Sequence, residues 1–142
     1  MKRILVALDG SPRAQGVLAA ATRLAELSGA KLVLFRAISI PSEITQEVLV
    51  ATDLRLEDLL KRNAHEDLGR LASPLRAGLV EAIVTELAMP WDGVVRAGRT
   101  YDADLIVIGS HGYGGIDHLL GTTAAKVVNH ADRNVLVVRT PL

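Results

Sequence analysis

Short, uninterrupted apolar runs alternate along the chain with longer stretches in which apolar residues recur every three or four positions. This is the pattern of buried strands followed by amphipathic helices. Ile4-Leu5-Val6-Ala7-Leu8 is the first run. The turn after it, Asp9-Gly10-Ser11-Pro12, offers a capping Ser and a Pro for the first helical position. Ala14, Val17, Leu18, Ala21, Leu24, Ala25 and Leu27 then repeat at helical spacing up to Gly29, a left-handed stop. Leu32-Val33-Leu34-Phe35 predicts a second strand, and 41–71 a long, half-exposed helix with Leu56, Leu59, Leu60 and Leu68 among many charges. The apolar stretch 79–84 contains Glu81, which suits an edge strand better than one buried on both faces. Pro90-Trp91-Asp92 opens a third helix that lasts to about Tyr101. Leu105-Ile106-Val107-Ile108, a helix over 122–130 and Val135-Leu136-Val137-Val138 complete the series. Strands alternating with helices predict one α/β domain over 1–142, an open parallel sheet with helices on both faces.

Composition narrows the function classes. With 142 residues, 49% of them hydrophobic, the chain can bury one sizeable core. Lys plus Arg and Asp plus Glu number 16 each, so no net basic field draws nucleic acid or acidic lipid. Phe35, Trp91, Tyr101 and Tyr113 are too few and scattered for a base-stacking platform. The absence of Cys excludes disulfides, thiolate catalysis and Cys-type zinc sites, and fits the reducing cytoplasm. The five apolar residues after Met1-Lys2-Arg3 are too short for a secretory signal, and no apolar run is long enough to span a membrane.

Candidate chemistry gathers after the fourth strand, where Gly109 to Gly121 holds five glycines in 13 residues. Glycines let successive N–H groups turn toward an anion with no Cβ in the way, and Thr122 and Thr123 follow where a helix begins and free N–H groups add to the cradle. Its place beyond the carboxyl end of a strand is where open α/β sheets bind ligands. The segment lacks the Gly-Lys-Ser/Thr of a Walker loop, the third glycine of the dinucleotide fingerprint and the spacing of a nucleophile elbow. Asp9 either closes its own turn or faces a ligand, and His111 is either a loop residue or a phosphate contact. His111, Asp117, His118 and His130 lack metal-ligand spacing. No catalytic residue is assigned. His111 is the one base near the glycines, so any ATP cleavage is expected to be slow or partner-dependent.

Three blocks, 2–11, 103–112 and 121–138, resemble the universal stress protein family over nearly the whole chain. Nucleotide-binding members carry Gly, two residues, Gly, nine residues, then Gly and Ser or Thr, which bind ATP phosphates and ribose. Gly109, Gly112, Gly121 and Thr122 match, although eight residues rather than nine separate Gly112 from Gly121. The resemblance implies strand order 3-2-1-4-5, with Asp9 near the ribose and the backbone at Arg36-Ala37 reading the adenine edge. Ala7 and Ile108 then form the floor; His111 lies within the cradle, and the hydroxyls of Thr122 and Thr123 add a second anion-binding surface at the start of the helix. It further implies ATP or AMP as ligand and a stress-response role as a homodimer paired through Val135, Leu136, Val137 and Val138; any metal is expected to be Mg²⁺ accompanying the phosphates. The alternative it carries is a ligand-independent dimeric interaction module.

Overall fold

The computed structural model describes residues 1–39, 46–111 and 120–140, with side chains left out for 46–55. The elements run β1 (Arg3–Ala7), α1 (Ala14–Ser28), β2 (Lys31–Ile38), α2 (Gln46–Ala72), β3 (Val80–Leu87), α3 (Pro90–Thr100), β4 (Leu105–Gly109), α4 (Thr122–His130) and β5 (Asn134–Val138). The five strands form one parallel sheet in the order β3-β2-β1-β4-β5, as the resemblance implied.

Because alternate residues of a strand face opposite sides, the continuous apolar runs of the inner strands supply two cores. Ile4, Val6, Leu32, Leu34 and Val107 pack with Val17, Leu18 and Ala21 of α1 and Leu68 of α2 on one face. Leu5, Val33, Phe35, Ile106 and Ile108 pack with Val94 and Val95 of α3 and Ala124 and Val127 of α4 on the other. β3 is indeed an edge strand. It runs to Leu87, beyond the apolar stretch, because Thr85, Glu86 and Leu87 continue the ladder opposite Arg36, Ala37 and Ile38.

One local expectation is corrected. Helix α1 begins at Ala14 rather than at Pro12, and Ser11 does not cap it: Arg13 holds the N-cap position without a side-chain cap. Ser11 is used one step earlier, its N–H donating to Asp9 Oδ1 at 2.9 Å and its Oγ accepting from the Arg13 N–H at 3.3 Å. These closures add a tight turn between strand and helix. At the other end, Gly29 takes the left-handed conformation, with φ of 77°, and donates to the Ala25 carbonyl at 2.8 Å.

The amino ends of the strands are tied by polar contacts. Arg3 on β1 reaches across β2 to Glu81 on β3, with Nη2 3.0 Å from Oε1. Asp104, just before β4, accepts from the Lys2 and Arg3 N–H groups at 2.5 and 3.0 Å. Arg133, just before β5, donates to the carbonyls of Gly98 and Ala103 at 2.8 and 2.9 Å. The carboxyl ends diverge instead into turns. Among the described residues, no helix is long and apolar enough to cross a membrane.

Candidate functional site

At β1 and β4 the chain leaves the sheet in opposite directions, α1 toward one face and α4 toward the other. The divergence opens a cleft of about 540 Å³ at the carboxyl ends, within the size range of small-molecule sites. Ala7 and Ile108, opposite each other in the β1–β4 register, lie on its floor with Phe35 beneath. Asp9, Ser11 and Arg13 form one wall, Arg36, Ala37, Ser39, Pro90 and Val94 the β2 side, and Gly109, His111, Thr123 and Thr140 the β4 and β5 side.

The walls are held by specific contacts. The Leu8 N–H donates to the Phe35 carbonyl at 2.9 Å, carrying the β1–β2 ladder one residue past the strand. Arg36 then grips the turn itself, donating through Nε to the Leu8 carbonyl at 3.1 Å and through Nη2 to the Asp9 carbonyl at 2.9 Å. On the far side, the Ser110 N–H donates to the Val138 carbonyl at 2.9 Å, and the Gly121 N–H to the Ser110 carbonyl at 2.8 Å. The start of α4 is thereby fixed against the end of β4. Helix α3 approaches so closely that a Cβ on Gly93 would lie 3.0 Å from Ala88 Cβ and 3.2 Å from Phe35 Cζ, which sets Pro90 and Val94 on the cleft wall.

Among the described residues, three that line the cleft carry an enclosed polar atom without a hydrogen-bond partner: Arg13 Nε, His111 Nδ1 and Thr140 Oγ1. Enclosed polar groups are ordinarily paired, so such a cluster on a cleft wall marks where an outside group completes the set. The first turn of α4 adds backbone N–H donors beside them, with Gly121 at the N-cap and no side-chain cap. A phosphate-bearing ligand suits this donor-rich end, and a planar apolar group suits the Ala7, Phe35 and Ile108 floor.

Of the residues singled out in the sequence, Ala7, Asp9, Ala37, Ile108, Gly109, His111 and Thr123 come together on the cleft. Gly121 sits behind its wall as the N-cap of α4, and Thr122 is exposed at the first helical position, so Thr123 is the threonine that faces the cleft. Gly112, Asp117 and His118 lie outside the described residues. Asp9 does close its own turn through Oδ1, and that role coexists with its place on the wall. His130 is remote, its ring centroid 4.6 Å from that of Trp91, and Lys126 lies over the same indole at 5.7 Å. Among the described residues no three His, Asp or Glu side chains converge for a metal. Sequence reasoning passed over Arg13 and the side chain of Arg36. Arg36 had a signal, as the charge inside the apolar strand Lys31–Ile38.

Comparison with known proteins gives a consistent result. The family model described as "Universal stress protein family" matches residues 1–139. The chain is 31% identical to universal stress protein A homolog 1 of Coxiella burnetii, over 96% of this chain and 95% of that protein. Among solved structures, universal stress protein UspA from Lactobacillus plantarum superimposes with a TM-score of 0.79 at 25% identity, covering 97% of both chains. A universal stress protein crystallised in complex with cAMP superimposes with a TM-score of 0.67 at 26% identity, over 99% of this chain and 98% of that one.

Proposed function

Because this chain belongs to the universal stress protein family, we propose that its cleft binds an adenine nucleotide, ATP or AMP, and that the protein serves the stress response as a nucleotide-responsive homodimer in the cytoplasm. The observation that carries the reading is the polarity of the cleft, with an apolar floor under one end and enclosed, unpartnered donors and acceptors at the other. The base lies toward Ala37 and Ser39, the ribose beside Asp9, and the phosphates toward Gly109, His111 and Thr123. Gly112 joins them by its place in the motif. The relative crystallised with cAMP supports an adenine nucleotide as the ligand class. Mg²⁺ is ordinarily held by one or two carboxylates together with the ligand's phosphates, and among the described residues lining the cleft Asp9 is the carboxylate.

The second copy pairs along β5. This strand ends the sheet and shows no charge or Pro within Asn134–Val138, and Leu136 is 38% exposed. Such an edge accepts another strand, and antiparallel pairing about a two-fold axis gives an isologous interface.

The test is calorimetric titration of the protein with AMP and with ATP plus Mg²⁺, alongside mass identification of any nucleotide released on denaturation. Saturable binding that Asp9→Ala weakens about tenfold at unchanged Tm is the expected result. A folded protein that binds neither nucleotide and releases none overturns the reading in favour of the ligand-independent interaction module.

A further inference from the structure

The two arginines of the cleft are in opposite situations. Arg36 is committed, with its guanidinium shared among the Leu8 and Asp9 carbonyls and the Asp67 carboxylate. Arg13 has no side-chain hydrogen bond or ion pair among the described residues, yet its Nε is enclosed and its side chain lines the cleft. Enclosing a guanidinium N–H without an acceptor is costly, and a cation in that position calls for an anion.

The packing of α1 says which end of the cleft Arg13 serves. One turn further along the helix, a Cβ on Gly16 would lie 2.6 Å from Thr140 Cγ2, and Val17 Cγ2 stands 3.1 Å from where a Cβ on Gly109 would be. The first turn of α1 therefore lies over the β4 and β5 side. Arg13, on the Asp9 and Ser11 wall immediately before that turn, is thereby carried toward the side lined by Gly109, His111 and Thr140. Two further residues that line the same cleft also enclose a polar atom without a partner, His111 Nδ1 and Thr140 Oγ1.

On the adenine-nucleotide reading of the cleft, on which this inference rests, we propose that Arg13 contacts the phosphates beyond the first and so sets the preference of the site for a nucleoside triphosphate over a monophosphate. The α-phosphate next to the ribose is within the province of the backbone donors at Gly109 and the start of α4. Phosphates further along the chain gain a charged partner from a side chain that reaches. The planar fork of an arginine gives two parallel N–H donors to a phosphate oxygen pair, which a lysine does not. Among the described residues lining the cleft, the other arginine is Arg36, which holds the turn.

The experiment compares wild type, Arg13→Gln and Arg13→Lys by calorimetric titration with AMP and with ATP, each with and without Mg²⁺, after circular dichroism and Tm confirm that each variant is folded. Wild type is expected to bind ATP more tightly than AMP. Arg13→Gln is expected to lose about 10- to 100-fold in ATP affinity and less than about threefold in AMP affinity, and Arg13→Lys to fall between. ATP affinity unchanged in Arg13→Gln overturns the inference while leaving the cleft assignment intact, as does an equal loss for both nucleotides. A wild-type protein that binds neither nucleotide overturns the cleft assignment and this inference with it.

Discussion

Arg36 Nη2 lies 2.9 Å from the carbonyl oxygen of Asp9, so the turn that carries the acid of the cleft is pinned by a side chain from the neighbouring strand. Its third contact, Nη1 to Asp67 Oδ2 at 3.3 Å, ties the same guanidinium to α2. Removing it leaves the Leu8 and Asp9 carbonyls without this donor, while Asp67 keeps its pairing with Arg70. Arg36→Gln should destabilise the fold by about 1–3 kcal/mol, measured by urea unfolding. It should also weaken nucleotide binding several-fold through Asp9, measured by titration at a temperature where the variant is fully folded.

Gly16 tests how closely α1 must approach the end of β5. A methyl group there would fall 2.6 Å from Thr140 Cγ2, closer than atoms tolerate, so helix or Thr140 must move. Gly16→Ala should cost about 1–3 kcal/mol by overpacking, despite the better helix propensity of Ala. Thermal unfolding will report the loss. Because Thr140 lines the cleft, the variant should also bind nucleotide less tightly, whereas a gain in Tm with unchanged binding would contradict the packing described.

Asp104 sets an acid limit at the opposite end of the sheet. The N–H groups of Arg3 and Lys2 hold its carboxyl below the usual aspartate range. A carboxylate with a depressed folded-state pKa contributes stability above its unfolded pKa and loses it as pH falls through the folded value. Asp104→Asn should therefore lower Tm at neutral pH, and its difference from wild type should shrink as pH is taken below about 4. A constant difference across that range would show that the ionised form is not what the two N–H groups hold.

The edge at β5 is best probed at Leu136. Val135 and Val137 pack against the core beside α3 and α4, so changing them perturbs the fold itself, whereas Leu136 is 38% exposed. Leu136→Lys should weaken the proposed homodimer at least about tenfold and leave the far-ultraviolet circular dichroism unchanged. Sedimentation of the two proteins over a concentration series measures this. An unaltered dimer would place the interface elsewhere.

How much of this was legible beforehand differs between sheet and cleft. Ile4 to Ala7 and Leu105 to Ile108 read as strands because each side chain is needed on one face or the other, and a strand buried twice leaves a run that few other structures produce. Thr85 and Glu86 gave no such run. Their place in β3 comes from backbone pairing with β2, which side-chain pattern does not encode. In the cleft, Gly109 and Asp9 were readable from turn chemistry and family resemblance. Arg13 was not, since a cation after Ser11-Pro12 looks like any solvated turn residue until the packing of Gly16 on Thr140 fixes which way the helix leans. The misplaced cap follows from the turn itself: the Ser11 N–H donates to Asp9 Oδ1 and its Oγ accepts from the Arg13 N–H before α1 starts, so the helix begins later than its sequence signal.

The opposed rims of the sheet have a consequence for altering this protein. Arg3 with Glu81, Asp104 with the first backbone amides, and Arg133 with the end of α3 all lie at the amino ends of the strands. Side chains that face the cleft from its rim, among them Arg13 and Ser39, take no part in those ties. The molecule is in this sense a socket on an independent mount. A library randomised at those rim positions should yield a large fraction of folded members, and selection on immobilised nucleotides would then sort them by the anion each prefers.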